Sequence, residues 1–150
     1  AIEEYVILRF FGAYGPYEPS RKIFSRLINT IFFEKKDEFL VRGDGKNYID
    51  AMYVEDAVKG ILGVLISSEK NITVDFGCCN PLTLKDLCLR VGEYFGKNVK
   101  VIFEGEVAEY ITFYMSPDEM RKRFSFEAKI SLEEGIKKLA MHLERERGKA

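Results

Sequence analysis

Residues 8–22, LRFFGAYGPYEPSRK, set an apolar run directly ahead of Gly12, Gly15, Pro16 and Pro19, and close on two adjacent cations, Arg21 and Lys22. In open α/β sheets a strand that feeds a glycine-bearing loop and then a helix lies at the carboxyl edge, where ligands bind. Glycine lets backbone approach a ligand closely. Gly12 to Pro16 therefore reads either as a ligand-facing loop or as an ordinary strand-to-helix turn. Arg21 and Lys22 fall at the first turn of the expected helix, whose amino end favours anions; they are either phosphate contacts or plain solvated cations. Tyr14, Tyr17 and Tyr53 either line a ligand pocket or are half-buried aromatics. Asp50 and Asp56 read as local hydrogen bonding and helix capping. Cys78 and Cys79 are adjacent and read as a buried small-residue turn. One histidine, His142, is too far from them in sequence to complete a metal site, so none is expected.

These residues need elements to position them. Tyr5–Phe11 (YVILRFF) is a buried strand, Gly12–Pro19 a loop, and Ser20 the cap of a helix with Ile23, Phe24, Leu27, Ile28, Ile31 and Phe32 at helical spacing. Glu38–Arg42 is a short strand ended by Gly43-Asp44-Gly45, which reads as a hairpin turn. Tyr48–Val54 is a further strand. Asp56 caps a helix carrying Val58, Ile61, Leu62 and Leu65. Asn71–Phe76 and Val99–Phe103 are strands. Between them Thr83 and Asp86 form a capping box ahead of Leu84, Leu87, Cys88, Val91 and Phe95, with Gly96 as terminator. Ser116-Pro117-Asp118-Glu119 starts a helix, and Ser131 with Glu134 caps a final one bearing Ile136, Leu139, Ala140 and Leu143. The class is α/β, or α+β for the isolated piece. Without repeats or a linker, residues 1–150 read as a single domain.

Bulk properties exclude several functions. The 150 residues are 47% hydrophobic and 31% charged, with a net charge of -1. No one-signed field points to nucleic acid or an anionic membrane. The longest apolar runs, such as Ile28–Phe33, are far too short to span a bilayer. Three cysteines without framework spacing read as reduced and intracellular, which gives a cytoplasmic expectation.

The pieces taken in order carry a resemblance. Arg9, Phe11, Tyr14, Gly15 and Pro16, then Gly43-Asp44-Gly45, then Asp50, Tyr53, Val54, Glu55 and Asp56, then PLTLKDL at 81–87 and ISLEEGIKK at 130–138, resemble the carboxyl-terminal half of extended short-chain dehydrogenases/reductases, the NAD-dependent nucleotide-sugar epimerase and dehydratase family. The resemblance implies a fragment of a Rossmann-like fold plus its small substrate-binding subdomain, with the amino-terminal dinucleotide-binding half absent. It implies NAD or NADP as cofactor of the intact parent, faced by Phe11, Gly12 and Tyr14. It implies a nucleotide-sugar or related small molecule contacted by Arg21, Lys22, Tyr53 and Arg42, the last at a strand end where family members contact the base. The Gly-rich cofactor fingerprint and the Tyr-x-x-x-Lys pair do not occur in these 150 residues; Tyr94 and Lys97 are three apart. No catalytic residue is therefore assigned, and the chain alone is expected to be inactive and to hold no cofactor.

Departures from the family pattern open two further readings. Gly12 stands where the family has Asn, and Ile49 where it has Arg, which removes an amide and a guanidinium suited to bidentate phosphate contact. An Arg usual before the closing helices has no counterpart in EYITFYMSPDE. The alternatives are a non-catalytic binding or scaffold domain that keeps the fold, and a reductase of the extended family with a non-nucleotide substrate. The start at Ala1, already in a strand lead-in, gives the expectation of a fragment or processed piece. An apolar first strand with an unpaired edge gives the expectation of a homo-oligomer, or of pairing with the missing amino-terminal half.

Overall fold

The computed structural model describes residues 3–107 and 118–149. In chain order the elements are β1 (Val6–Phe10), β2 (Ala13–Tyr14), and α1 (Ile23–Ile28), which runs on as a π-helical turn over Asn29–Phe33. They continue with β3 (Glu38–Arg42), β4 (Tyr48–Ile49), β5 (Met52–Tyr53), α2 (Val54–Leu65), β6 (Ile72–Phe76) and β7 (Leu82–Thr83). The last are α3 (Leu84–Tyr94), β8 (Lys100–Glu104), α4 (Asp118–Phe124) and α5 (Leu132–Arg147). The mixture of helices with parallel strand pairs bears out the α/β class. The chain forms two compact units. Among the described residues it passes between them after Tyr14, Ile49, Pro81 and Ile130, and none of these crossings carries a linker-like run of glycine and serine.

The first unit is built on β1, β2, β5, α2, β6 and α4. Strands β1 and β6 pair in parallel from Val6↔Ile72 to Phe10↔Phe76, with α2 in the crossover between them, the connection parallel strands require. Val6 and Leu8 turn toward a core of Met52, Ala57, Val74, Phe76, Met120, Phe124 and Phe126. Each large side chain buried there contributes about 1.5–3 kcal/mol. Among the described residues no strand lies on the outer edge of β1. Helix α2 comes close to β6 because Gly60 faces it: a Cβ at Gly60 would sit 2.5 Å from the Phe76 ring and 3.1 Å from Phe126.

The second unit holds α1, β3, β4, β7, α3, β8 and α5. Strand β3 alternates exposed and buried residues, with Phe39 and Val41 inward, and pairs in parallel with β8 from Glu38↔Lys100 to Arg42↔Glu104. The capping expectations for α3 and α5 hold, since Thr83 Oγ1 accepts the Asp86 N–H at 3.0 Å and Ser131 Oγ the Glu134 N–H at 3.1 Å. Arg26 lies over the Phe39 ring at 5.1 Å and donates to the Leu40 carbonyl at 3.3 Å, fixing α1 against β3.

Four expectations are corrected. Gly43-Asp44-Gly45 is not a hairpin turn, because β3 pairs with β8 and β4 with β7. The turn is drawn instead to the start of α3: the Lys85 N–H donates to the Gly45 carbonyl and the Leu84 N–H to that of Asn47. The strand expected over Tyr48–Val54 is two short bridges in different units, β4 antiparallel to β7 and β5 parallel to β2. Ser20 does not cap α1, which begins after Lys22. Asp56 does not cap α2, whose cap position is Tyr53. The helix start expected at Ser116-Pro117 lies outside the described residues. No described helix is long and apolar enough to cross a membrane.

The Gly60 contact gives a direct test. Phe76 is fully buried and cannot swing away, so Gly60→Ala forces α2 off the sheet. We expect a loss of about 1–3 kcal/mol in urea unfolding, despite alanine's better helix propensity; an unchanged or higher midpoint would contradict the packing described.

Candidate functional site

The carboxyl ends of β1 and β6 lie side by side because the two strands are parallel and in register. That edge is where α/β sheets place ligands. The Phe11 N–H extends the pair by donating to the Phe76 carbonyl at 2.9 Å, and the Gly12 carbonyl then accepts the Met52 N–H at 3.2 Å. Chain leaving β1 is therefore led across to β5 within two residues. Gly12 has φ +140, a conformation other residues rarely adopt, while a Cβ there would touch only the Ala51 Cβ at 3.9 Å. Backbone conformation, not lack of room, demands glycine at this position.

The loop after β6 is held by one carboxylate. Asp50, between β4 and β5, accepts the Cys79 N–H on Oδ2 at 3.1 Å and the Asn80 N–H on Oδ1 at 3.2 Å. Cys79 itself has φ +59, and the two bonds from its neighbourhood to Asp50 oppose the cost of that left-handed conformation. The local role read for Asp50 is thus corrected to a link of about thirty residues. Burial, and after it the negative charge of Asp50, pushes the Cys78 and Cys79 thiols up to about 11. Burial alone dominates at Cys88, in the second unit, and takes it to about 12. These are packed neutral thiols with little thiolate to act as nucleophile.

Asp56 is nearly inaccessible, at 1% exposure. Its Oδ2 accepts the N–H groups of Lys129 and Ile130 at 2.8 and 2.7 Å, and Oδ1 lies 3.4 Å from Lys59 Nζ. It ties the first turn of α2 to the segment that follows α4, a role no local spacing in the sequence announces.

Of the residues singled out from sequence, Phe11, Gly12, Tyr14 and Tyr53 come together in the first unit. Phe11 and Gly12 are half-buried at the strand edge. Tyr14 and Tyr53 are register partners of β2 and β5 with rings edge to face at 5.6 Å, and only 3% of each is exposed. Both are more deeply buried than the half-buried alternative expected. Tyr17, in the second unit, is exposed and stands edge-on to His142 at 4.8 Å.

Arg21, Lys22 and Arg42 also belong to the second unit. Arg21 and Lys22 are exposed and precede α1, not in its first turn. The amide of Ser25 in that turn already donates to Glu18 Oε1 at 2.7 Å. A carboxylate of the chain itself thus stands where a phosphate would go. Arg42 is exposed at the carboxyl end of β3, opposite Glu104 of β8. The same unit has a groove of about 390 Å³ lined by Leu89, Glu93, Gly96, Lys97, Asn98 and Val99, none of them singled out from sequence. Among the described residues no group of three or more His, Cys, Asp or Glu side chains is placed to hold a metal ion.

Residues 3–75 match the family model described as the NAD dependent epimerase/dehydratase family. Over 141 residues the chain is 28% identical to a UDP-glucuronate 4-epimerase of Thermodesulfobacterium geofontis, covering 88% of this chain and 41% of the relative. Over 133 residues it is 27% identical to YtcB of Bacillus subtilis, described as an uncharacterized UDP-glucose epimerase, covering 87% of this chain and 42% of the relative. The chain thus spans about two fifths of the curated relatives it matches. Among solved structures, UDP-glucuronic acid 4-epimerase from Bacillus cereus with UDP-glucuronic acid and NAD superposes with a TM-score of 0.80 at 22% identity, covering 93% of this chain and 45% of that one. RMD from Pseudomonas aeruginosa with NADPH superposes with a TM-score of 0.83 at 14% identity, covering 94% and 48%. The shared fold is Rossmann-like.

The thiols give a pH test. Folding raises them above their ordinary value of 9.0, so the unfolded chain loses these protons first. Their contribution to stability is complete below pH 9 and is lost as pH rises through about 11 for Cys78 and Cys79 and about 12 for Cys88. We expect the urea midpoint to fall over that window, and to fall less in Cys78→Ser/Cys79→Ser. An equal fall in both proteins would show that the raised thiols are not the cause.

Proposed function

We propose that this chain is the substrate-side portion of an NAD(P)-dependent nucleotide-sugar epimerase or dehydratase. The observation that carries the reading is the family match over residues 3–75, which begins in the lead-in to β1 and runs through the Asp50 and Asp56 positions to β6. Both curated relatives with UDP-sugar epimerase descriptions support it, as do neighbours solved with NAD, NADPH or UDP-glucuronic acid. On this reading the activity is that of the longer protein, in which the dinucleotide-binding half supplies the rest of the site, and the assembled enzyme acts as an isomerase or lyase on a nucleotide-linked sugar.

The chain's own residues fit one wall of a cofactor site. Phe11 and Gly12 bring open backbone to the carboxyl edge of β1, and the Asp50-held turn at Cys79 and Asn80 brings a second stretch to the edge of β6. The Phe11, Cys79 and Asn80 N–H groups and the Gly12 carbonyl pin both stretches, which suits a surface against which a flat ring is positioned. The diphosphate clamp and the Tyr-x-x-x-Lys acid/base are not among these 150 residues. A bound nicotinamide supplies hydride transfer; the part assigned to this chain is to shape and dry one side of that site.

On the substrate side Arg42 is the cation to test. It is exposed at a strand end, while Arg21 and Lys22 flank a helix terminus already filled by Glu18. A guanidinium there can make charge-assisted bonds to a phosphate or a base carbonyl. One observation favours a second reading: Gly12 and Ile49 offer no polar side chain, so a binding module that has given up nucleotide contact keeps the same fold.

Calorimetric titration with UDP-glucuronic acid separates the two. The first reading expects saturable binding, weakened about tenfold or more in Arg42→Ala, as loss of a charged hydrogen bond worth about 1.5–3 kcal/mol implies. No saturable heat up to millimolar ligand would favour the binding module.

A further inference from the structure

Three rungs of side chains stand on one face of the β3–β8 pair, because register partners of paired strands point the same way. Glu38 and Lys100 form the first rung and close an ion pair at 3.2 Å. Leu40 and Ile102 form the second, with Leu40 43% exposed. Arg42 and Glu104 form the last, at the carboxyl ends of both strands. Both are exposed, and neither is bonded through its side chain to another described residue. Opposite charges on strands about 4.8 Å apart thus stay unpaired at the edge where α/β sheets receive ligands. The charges at the other end of the same face are paired.

We infer that Arg42 and Glu104 together read the edge of a guanine base, so that the nucleotide carried by the substrate is a guanosine diphosphate. The inference rests on the nucleotide-sugar reading above. A cation and an anion side by side carry no net charge, and the carboxylate repels a phosphate brought to the guanidinium. What the pair offers is a group that only donates next to a group that only accepts. Guanine presents the complement along one edge. Its N2 and N1 hydrogens are adjacent donors for a carboxylate, and its O6 and N7 are adjacent acceptors for a guanidinium. Uracil presents a single donor, N3–H, between two carbonyl oxygens, so a carboxylate that takes that hydrogen meets an acceptor on each side. Leu40 and Ile102 give a flat ring an apolar floor on the same face. Arg42 and Glu104 lie far apart in sequence and meet only through the β3–β8 register.

Calorimetric titration of the chain with GDP, UDP and inosine diphosphate, which differs from GDP only in lacking the 2-amino group, tests this. We expect GDP to bind at least about tenfold more tightly than UDP, with inosine diphosphate between them, as a bidentate contact to a base edge implies. Glu104→Ala is expected to bring the GDP-to-UDP ratio near one and to abolish the difference between GDP and inosine diphosphate. Glu38→Ala, on the first rung, is expected to change neither. UDP bound as tightly as GDP overturns the inference and leaves the nucleotide-sugar reading standing, whereas a chain that binds no nucleotide sinks both. A GDP preference that survives in folded Glu104→Ala overturns the inference too, since the base is then read elsewhere. Should that variant fail to fold, equal affinity of the native chain for GDP and inosine diphosphate has the same force.

Discussion

Taking a carboxylate out of water costs several kcal/mol unless bonds inside the protein replace its hydration. Asp56 meets that cost with two backbone amides from a segment more than seventy residues away. Much of the first unit follows from this. With Lys129 and Ile130 held at the first turn of α2, the stretch leading to them must run back along the helix. Phe126 then lies against Phe76 at 5.4 Å between ring centres, and Met120 and Phe124 close the core beside it. A two-stranded parallel sheet has little stability by itself; here it gains a covering layer on one face because one buried charge recruits it.

The same economy shapes the carboxyl edge. Asp50 and Asp56 lie six residues apart, on either side of the bridge β5, and both bond amides from distant parts of the chain. Asp50 arranges the turn after β6 with both oxygens, and Asp56 secures the segment after α4 with Oδ2 while Oδ1 faces Lys59. The edge is thus organised by backbone amides turned toward acidic side chains, with the glycine conformation at Gly12 completing the passage from β1 to β5. A rigid, pre-formed edge of this kind is what a ligand site on a parallel sheet requires.

Much of the architecture was legible in the sequence. Runs rich in branched and aromatic residues located β1, β3, β6 and β8 to within one or two residues, because burial and strand spacing act over neighbours. Thr83 and Ser131 announced their helices because capping is a three-residue interaction. What escaped was long-range. Asp56 sits at a helix start and looks like a cap, and nothing local reveals partners at 129 and 130. Asp-Gly after β3 looks like a hairpin, yet parallel pairing with β8 was worth more than folding back. Ser20 lost its role to Glu18, whose longer side chain reaches Ser25 from seven residues away. At the candidate site the loop residues Phe11 and Gly12 were legible through the glycine, whereas the mutual burial of Tyr14 and Tyr53 depends on pairing two bridges that the sequence shows as parts of longer strands.

If the Asp56 carboxylate holds the first unit together, the amides it accepts must be among the last to open. Native-state hydrogen exchange, read residue by residue by NMR, measures this at Lys129 and Ile130. The account predicts that both exchange only with global opening of the unit, with the same free energy as the core amides of β6, although both residues lie outside any helix or strand. Exchange of these two amides within minutes at neutral pH, while β6 and α2 stay protected, would contradict it.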